Sequence, residues 1–569
     1  MTDTDLRTGT EGVPPADDSY KWVALVNTTA ALFMSTLDGS IVLIALPAIF
    51  RGIHLDPLAP GNAFYLLWMI MGYRLVQAVL VANVGRLGDI YGRVRIYNAG
   101  FLVFTIASVL LSFDPFQGGH AAEWLIGWRV LQAAGGSMLM ANSSAILTDA
   151  FPAEQRGLAL GTNQIAGLAG QFIGLVAGGL LAVVDWRLVF WINVPVGVFG
   201  TIWAYRRLRE VGERHPARID WWGNLTFALG LGALLVGVTL GIQPYQHHSM
   251  AWTSPTVEAL MVGGAALLVI FVRIEQRIKD PLLRLSLFRI RDFTAGNIAT
   301  FTMAAARGGL QFILIIWLQG IWLPLHGYDY SDTPLWAGIF LLPLTAGFLI
   351  SGPTCGRLSD RFGARGLATT GALLFGGSLL GLLALPVNFP YWAFALLLFL
   401  SGVSNGMFAS PNSSSVMGSV PARDRGVASG MRQTFLNSGT AISIGLFISL
   451  IISGFAPVLS GSLRHGLLVH GVNPVAANHA AALPPVSSLF AALLGVNPIQ
   501  HLVGQPALNP LPLATQHLLT GRTFFPDLIA TAFRSGLIVV FSVGTALALV
   551  AAVASLLRSR RPAGATRPA

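Results

Sequence analysis

Residues 85–95 read GRLGDIYGRVR, and residues 356–365 read GRLSDRFGAR. A second loop repeats as well, because FPAEQRGLALG at 151–161 returns as VPARDRGVASG at 420–430. Two loops that repeat at nearly one spacing indicate two homologous halves. Each copy lies in a cytoplasmic loop of the predicted topology, so the halves run parallel. Six helices need only about two hundred residues, so the spacing leaves room for two more helices between the halves.

The composition places the chain in a membrane. Of its 569 residues 54% are hydrophobic and only 11% are charged, with a mean hydropathy of +0.65, whereas soluble domains carry about 25% charged residues. Apolar stretches of about 20 residues, the length that spans a bilayer, predict an all-α membrane protein of fourteen helices. They lie near 22–48, 62–84, 96–113, 124–148, 158–183, 188–205, 221–242, 255–272, 293–318, 334–354, 366–386, 391–415, 427–455 and 528–557.

The basic residues indicate topology rather than a nucleic-acid partner. The formal net charge is +10, but the cations sit in short loops instead of forming the solvated basic face that nucleic acid requires. With the amino terminus inside, the outer loops hold few of the Lys and Arg residues, so the positive-inside rule predicts that both termini are cytoplasmic. The polar start has no basic n-region or cleavage site, so we expect the first helix to be retained. The outer cations are Arg51, Arg187, Arg464 and Arg522.

These patterns divide the chain into consecutive parts. We predict a cytoplasmic tail, a six-helix bundle, a linker with two extra membrane helices, a second six-helix bundle and a second cytoplasmic tail. A segment at 456–527 is predicted to lie outside the membrane within the second bundle. The parts cover residues 1–21, 22–205, 206–292, 293–557 and 558–569.

Several motifs resemble the major facilitator superfamily. The loop at 85–95 resembles its signature after helix 2, and LDGSIVLIALP at 37–47 resembles the helix 1 signature of its fourteen-span drug:proton antiporter branch. DWRLVFWINVPVG at 185–197 is similar to the segment entering helix 6, and LIGWRVLQAAGG at 125–136 to a helix 4 motif with Arg129 and Gln132 as key polar positions. The resemblance implies two six-helix bundles plus two inserted helices, and export of drugs in a bacterial inner membrane.

The antiporter motif of helix 5 departs from the family form G-x-x-x-G-P-x-x-G-G, because Leu175 stands where proline is expected. Glycines on one helical face let two helices approach closely, so the stripe is typical of helix packing, of a coupling role, or of both. The missing proline removes an expected kink, which leaves other coupling modes open beside antiport. The glycines are Gly170, Gly174, Gly178 and Gly179.

Asp38 is the one acid well inside a predicted span. An ionised group at mid-bilayer costs at least about 2.5–3.5 kcal/mol, so this carboxylate must be paired, solvated by a cavity or protonated. Arg74, Arg129 and Arg307 share the interior, whereas Arg432 and Arg534 lie nearer helix ends, where snorkelling explains them. Arg74 is equally explained as a structural clamp on backbone carbonyls.

Asp38 and Arg307 occupy equivalent depths in the two halves, so we expect them to face each other across a central cavity, with Arg129 the nearer cation within the first half. Burial favours the protonated carboxyl, and a nearby arginine favours the ionised form. Asp38 is therefore predicted to exchange a proton for an arginine partner during transport. A purely structural ion pair is the alternative interpretation.

The repeated loops predict a mechanical role. Charged clusters where helices 2 and 10 end at the cytoplasm can latch the two halves together and release them as the cavity opens. An ordinary solvated turn is the alternative, and recurrence in both halves favours the latch. The residues concerned are Gly85, Asp89, Gly92 and Arg93 in the first copy, and Gly356, Asp360 and Gly363 in the second.

The segment 456–527 is too polar and too interrupted to span a membrane. We expect a cap over the outer mouth or an amphipathic hairpin on the membrane surface. Its histidines show no metal-ligand spacing, and the chain has one cysteine, so we expect no metal and no cofactor. We also expect a monomer.

Three functions were compared. The first is a proton-coupled exporter of amphiphilic compounds; one acid beside three arginines suits anionic, zwitterionic or neutral substrates better than quaternary ammonium ions. The second is a dedicated exporter of an endogenous lipid, antibiotic or other metabolite. The third, a membrane enzyme or scaffold, is disfavoured because no nucleophile with a base, metal-ligand spacing or P-loop appears.

Overall fold

The computed structural model describes residues 18–56, 58–59, 61–152, 155–211, 220–246, 250–278, 281, 283–421 and 425–559. All regular elements of these residues are helices, which confirms the predicted all-α class. Thirteen described helices are long and apolar enough to cross a membrane. Another helix, Gly118–Ala150, has 33 residues and thus the length to span, but its polar side chains make it less apolar.

The first half begins with seven helices: α1 Asp18–Gly52, α2 Asn62–Tyr91, α3 Arg93–Ser112, α4 Gly118–Ala150, α5 Arg156–Val184, α6 Leu188–Trp191 and α7 Asn193–Arg207. Two inserted helices follow, α8 Trp221–Gly241 and α9 Pro255–Glu275. Both lie where hydropathy predicted them. They pack against each other, and α8 also packs against α2 and α16 of the two halves.

The second half contains α10 Arg291–Ile316, α11 Leu323–Leu325, α12 Thr333–Phe340, α13 Leu342–Phe362, α14 Ala364–Ala384, α15 Tyr391–Gly418 and α16 Arg425–Val469. A π-helical turn, Trp317–Trp322, joins α10 to α11. Five short helices precede the last long one: α17 Pro474–Ala481, α18 Pro485–Leu494, α19 Ile499–Val503, α20 Gln505–Leu508, α21 Leu513–Thr520 and then α22 Phe524–Leu556.

The long helices alternate in direction, so their connections fall on two faces of the protein. We call the face that carries the loop motifs at 85–95 and 356–365 the motif face; α1 begins there and α22 ends there. We call the opposite face, which carries residues 470–523, the cap face, and those residues the cap segment. These names fix the two ends of the bundle without assigning a compartment to either.

The thirteenth predicted helix, at 427–455, corresponds to α16 of the structure. Its predicted end is too early, because α16 continues to Val469. The helix continues because Leu459, Leu463 and Leu467 repeat every four residues on one face and are buried, which is the pattern of a helix packed on one side. Helix α16 also contacts α17 and α18 of the cap segment. The extra turns therefore support the cap segment rather than extend the membrane span.

Helix α18 fills the space between the two halves at the cap face. Every residue from Val486 to Leu494 is buried, and α18 contacts α1 and α2 of the first half and α10, α16 and the π-turn of the second. The approach is close, since a Cβ atom at Gly320 would lie 3.5 Å from the Ala492 Cβ atom. This end of the bundle is closed by an apolar helix.

Among the described residues, the hydrogen bonds between the two halves lie from the middle of the bundle to the cap face. Gln171 Nε2 of α5 donates to Gln311 Oε1 of α10 at 3.1 Å. Gln319 Nε2 of the π-turn donates to the Ile44 carbonyl of α1 at 3.3 Å. The glutamine pair lies near the middle of the bundle, and α2 of the first half also packs against α16 of the second.

Candidate functional site

Asp38 lies in the interior of α1 with no exposed surface, and Arg129 of α4 is only 2% exposed. The Arg129 Nη1 atom lies 2.5 Å from Asp38 Oδ2. Charge-assisted hydrogen bonds of this length are among the strongest in proteins. The first half thus holds a complete ion pair inside the membrane span.

Neutral side chains complete the shell around the carboxylate. Gln132 Nε2 donates to Asp38 Oδ1 at 3.0 Å and to Ser108 Oγ at 2.9 Å, and Asn193 Nδ2 of α7 donates to the same carboxylate oxygen at 2.7 Å. Every described partner of Asp38 is a hydrogen-bond donor, which is the arrangement that suits an ionised carboxylate. Four helices, α1, α3, α4 and α7, meet at this network.

The guanidinium of Arg129 is held from a second side by an aromatic ring. Its central carbon lies 4.1 Å from the centre of the Tyr73 ring of α2, and Arg129 Nη1 also donates to Gln132 Oε1 at 2.6 Å. Arg129 Nε is buried with no described hydrogen-bond partner. The pair is therefore well held, but the arginine retains an unused donor.

Arg74 and Arg307 do not join this ion pair. Arg74 Nη2 of α2 lies 3.4 Å from the Gly39 carbonyl of α1, next to Asp38 in sequence. Arg307 of α10 forms no ion pair with another described residue. In this conformation Asp38 is paired with Arg129 and not with Arg307, so the expected contact across the cavity is not present among the described contacts.

The glycine stripe of α5 lies directly against α1. A Cβ atom at Gly170 would lie 2.5 Å from Thr36 Oγ1, and one at Gly174 would lie 2.6 Å from the Leu37 carbonyl oxygen. Real Cβ atoms do not approach so closely, so the missing side chains allow backbone contact beside Asp38. Gly178 continues the same contact one turn further.

The end of the stripe contacts the other half. A Cβ atom at Gly179 would lie 2.7 Å from the Pro334 carbonyl oxygen of α12, and one at Gly338 of α12 would lie 2.8 Å from the Leu175 carbonyl oxygen of α5. Leu175, which stands in the position of the family proline, is buried within an unbroken helix. Helix α5 therefore links the Asp38 helix to the second half.

The first loop motif forms its ion pairs within the first half. Arg93 Nη2 lies 2.9 Å from Asp89 Oδ1, and its Nη1 lies 2.5 Å from Asp149 Oδ1 of α4. The Glu210 carboxylate accepts from the backbone N–H of Arg93 at 2.7 Å, which neutralises the amino end of α3. Gly92 joins the two helices at a φ of 110°, a conformation that favours glycine.

The second loop motif repeats the turn. Gly363 has a φ of 82°, so the glycine after the helix serves the same backbone purpose in both halves. A Cβ atom at Gly356 would lie 2.7 Å from Ser410 Oγ of α15. A Cβ atom at Gly85 would make only an ordinary van der Waals contact with α4. The side chain of Asp360 lies outside the described part of the structure. The described contacts do not join the two motif copies, and the latch stays a prediction.

Sequence reasoning missed three contributors to the Asp38 network, namely Ser108, Asn193 and Tyr73. Asn193 lies within the quoted stretch 185–197, and its signal was an amide in an apolar segment. Such polar positions are costly in a membrane unless they are paired. The missing information was which helices pack together.

The Major Facilitator Superfamily family model matches residues 28–444 of this chain. The chain belongs to this superfamily. Its integral membrane character follows from the same match together with the many spanning helices. The superfamily comprises transporters, which agrees with the exclusion of enzyme motifs.

Two curated members of the superfamily illustrate the similarity. The riboflavin transporter RibZ of Clostridioides difficile (strain 630) is 29% identical over 434 residues, covering 75% of this chain and 88% of RibZ. The multidrug transporter protein MdtP of Bacillus subtilis (strain 168) is 26% identical over 530 residues, covering 91% of each chain. Both similarities extend through most of the two chains.

A solved transporter structure has the same fold. A bacterial homologue of the human lysosomal transporter Spinster, in an inward-facing and unoccupied conformation, superimposes with a TM-score of 0.55 over 95% of this chain and 98% of that chain. Its sequence identity is 14%, so the comparison establishes the fold alone.

Proposed function

We propose that this protein is a secondary active transporter that exports amphiphilic small molecules in exchange for protons by alternating access. The observation that carries the proposal is the enclosed Asp38–Arg129 pair, because it places one exchangeable carboxyl inside the span of a superfamily transporter. MdtP, a similar multidrug transporter, supports the exporter class.

In this mechanism, protonation of Asp38 removes the charge that holds Arg129. The guanidinium then loses its 2.5 Å partner and needs another acceptor, for which its unpartnered Nε donor is available. Because a charge without a partner is costly in a medium of low dielectric constant, the protonated and ionised networks favour different packing of α1 and α4. That difference is what a proton-driven conformational change requires.

Helix α5 is proposed to carry the change to the second half. Its glycines contact the α1 backbone beside Leu37, and Gly179 contacts the Pro334 carbonyl of α12. Close-packed protein interiors have low compressibility and transmit strain between neighbouring elements. A shift of α1 therefore reaches the cap-face contact between the two halves.

The positive-inside rule supports a cytoplasmic motif face. Both termini then lie in the cytoplasm of a bacterial cell. We propose that the protein is a monomer in the plasma membrane. In this orientation an inward-facing state is supported by the described hydrogen bonds between the halves, which lie from the middle of the bundle to the cap face. Release of substrate outside then requires α18 to move from between the halves.

Export from cells tests the proposal. Cells expressing the protein should lose several unrelated fluorescent dyes faster than cells expressing Asp38→Asn, and a protonophore should abolish the difference. Arg534→Gln is a matched control, because this arginine is exposed on α22. Dye loss that is unaffected by the protonophore would contradict proton coupling.

A dedicated exporter is the second candidate, favoured by the similarity to RibZ, which is named for one substrate. A deletion strain would then retain one metabolite, lipid or antibiotic and show no change in dye export. Broad dye export by the wild-type protein would exclude this candidate.

A further inference from the structure

Arg74 and Arg307 lie in membrane-spanning helices without an acidic partner. Neither forms an ion pair with another described residue. In this conformation Asp38 accepts its hydrogen bonds from Arg129, Gln132 and Asn193 and from neither of these two arginines. Arg74 and Arg307 are therefore interior cations of the described protein that no described carboxylate pairs with.

The positions of these two arginines relate them to the space between the halves. Gln311 lies one helical turn after Arg307, so the two side chains share a face of α10. Gln311 Oε1 accepts from Gln171 of the first half, which shows that this face is directed toward the first half. Arg307 follows on the motif side of that bridge.

Arg74 approaches the same region from the first half. Its Nη2 atom lies 3.4 Å from the Gly39 carbonyl of α1, one helical turn from Thr36, against which Gly170, the neighbour of Gln171, packs. Two guanidinium groups from opposite halves therefore lie at the level of one bridge, and like charges repel more strongly in a medium of low dielectric constant than in water.

An unsatisfied donor lies beside them. Gln311 Nε2 is buried and has no described hydrogen-bond partner. Two guanidinium groups and an amide N–H are complementary to the oxygens of an organic anion, because guanidinium matches a carboxylate in planar geometry and charge.

We propose that Arg74 and Arg307, assisted by Gln311, form an anion subsite that binds the carboxylate of an exported amphiphile between the two halves. This inference rests on the proposed export function and names its substrate class. The bound carboxylate neutralises repulsion across the interface, so it favours approach of the two halves on the motif side. A substrate that lacks the anionic group leaves the repulsion in place.

Binding to the purified full-length protein in detergent tests this inference with two matched probes. The probes are 11-(dansylamino)undecanoic acid and its methyl ester, which differ in the anionic group. Wild-type protein should bind the acid at least about tenfold more tightly than the ester, by analogy with the energies of charge-assisted hydrogen bonds. Arg74→Gln and Arg307→Gln should each remove this preference while leaving affinity for the ester unchanged.

Arg307→Lys provides the conservative variant and should retain part of the preference, and Arg534→Gln, the exposed control, should retain all of it. Equal affinities for acid and ester in wild-type protein would overturn the inference, as would an equal loss of both in Arg307→Gln. Because this assay applies no proton gradient, its result does not depend on whether export is coupled to protons. The proposed subsite can therefore be tested separately from the proposed function. A preference for the acid without proton-driven export refutes the proposed function alone, whereas export without the preference refutes the subsite.

Discussion

Replacing Asp38 by Asn should separate folding from proton coupling when it is combined with Arg129→Gln. In Asp38→Asn the amide oxygen still accepts from Gln132 and Asn193, but an NH₂ group replaces Oδ2 and faces Arg129 Nη1, which lies 2.5 Å away in the wild-type protein. Breaking a buried pair on one side costs about 3–5 kcal/mol of unfolding free energy. Arg129→Gln should cost a similar amount.

The double variant should recover part of the summed loss, because the glutamine of Arg129→Gln can accept from the new amide. We expect an interaction energy of about 2–3 kcal/mol between the two substitutions, at the upper end for residues in direct contact. Denaturant or thermal unfolding of the four proteins in one detergent measures it. A loss of unfolding free energy in the double variant equal to the sum of the two single losses would contradict the geometry of the pair.

Transport by the same four proteins gives the functional answer. A gradient of one pH unit stores about 1.4 kcal/mol per proton, enough for a tenfold substrate gradient. Wild-type protein in proteoliposomes should reach about that ratio for an uncharged dye if one proton is exchanged. The double variant should be folded yet equilibrate the dye to a ratio of about one. Uphill accumulation by the double variant would refute the assignment of coupling to Asp38.

Three further outcomes are expected. Gly174→Ala should cost about 1–3 kcal/mol of unfolding free energy by overpacking, whereas Gly161→Ala on the same helix, where no neighbour lies within 4 Å, should be neutral or stabilising; denaturation of both variants measures the contrast. Cysteines at Gly320 and Ala492, whose Cβ atoms would be 3.5 Å apart, should form a disulfide that stops transport until reduced. Burial raises the pKa of the Asp114 carboxyl on the cap face, so this group stabilises the fold less as the pH rises through its folded-state pKa; Asp114→Asn should therefore raise the melting temperature at pH 7 but not at pH 4.

Much of the fold is predictable because a bilayer imposes length and apolarity on each span. Hydropathy therefore locates α8 and α9 and the order of the long helices. It does not locate α18, because Pro485 and the glycine after Leu494 limit this helix to a length that cannot span. Its burial depends on the helices around it, which lie far away in sequence.

The candidate site was predictable in part, for a related reason. A lone carboxylate in an apolar stretch identifies Asp38, and the helix 4 motif supplies Arg129. The repeat gives Asp38 and Arg307 equal depth but not equal direction, since each residue turns the helix by about 100°. Depth is therefore readable from the repeat, whereas the partner of Asp38 depends on helix rotation and on neutral side chains such as Asn193.

The π-helical turn at Trp317–Trp322 has a consequence for motion. Such a turn holds one residue more than an α-helical turn, and here its two tryptophans donate to the carbonyls of Val387 and Phe389 at 3.0 and 2.9 Å. Conversion of the π-turn to a regular α-helix would rotate the cap-side part of the helix by about 100° about its axis relative to α10. This rotation would break the hydrogen bond between Gln319 and the Ile44 carbonyl. It would also move Gly320 away from α18. The extra residue of the π-turn would then allow the cap face to open by helix rotation, without a bend in the helix.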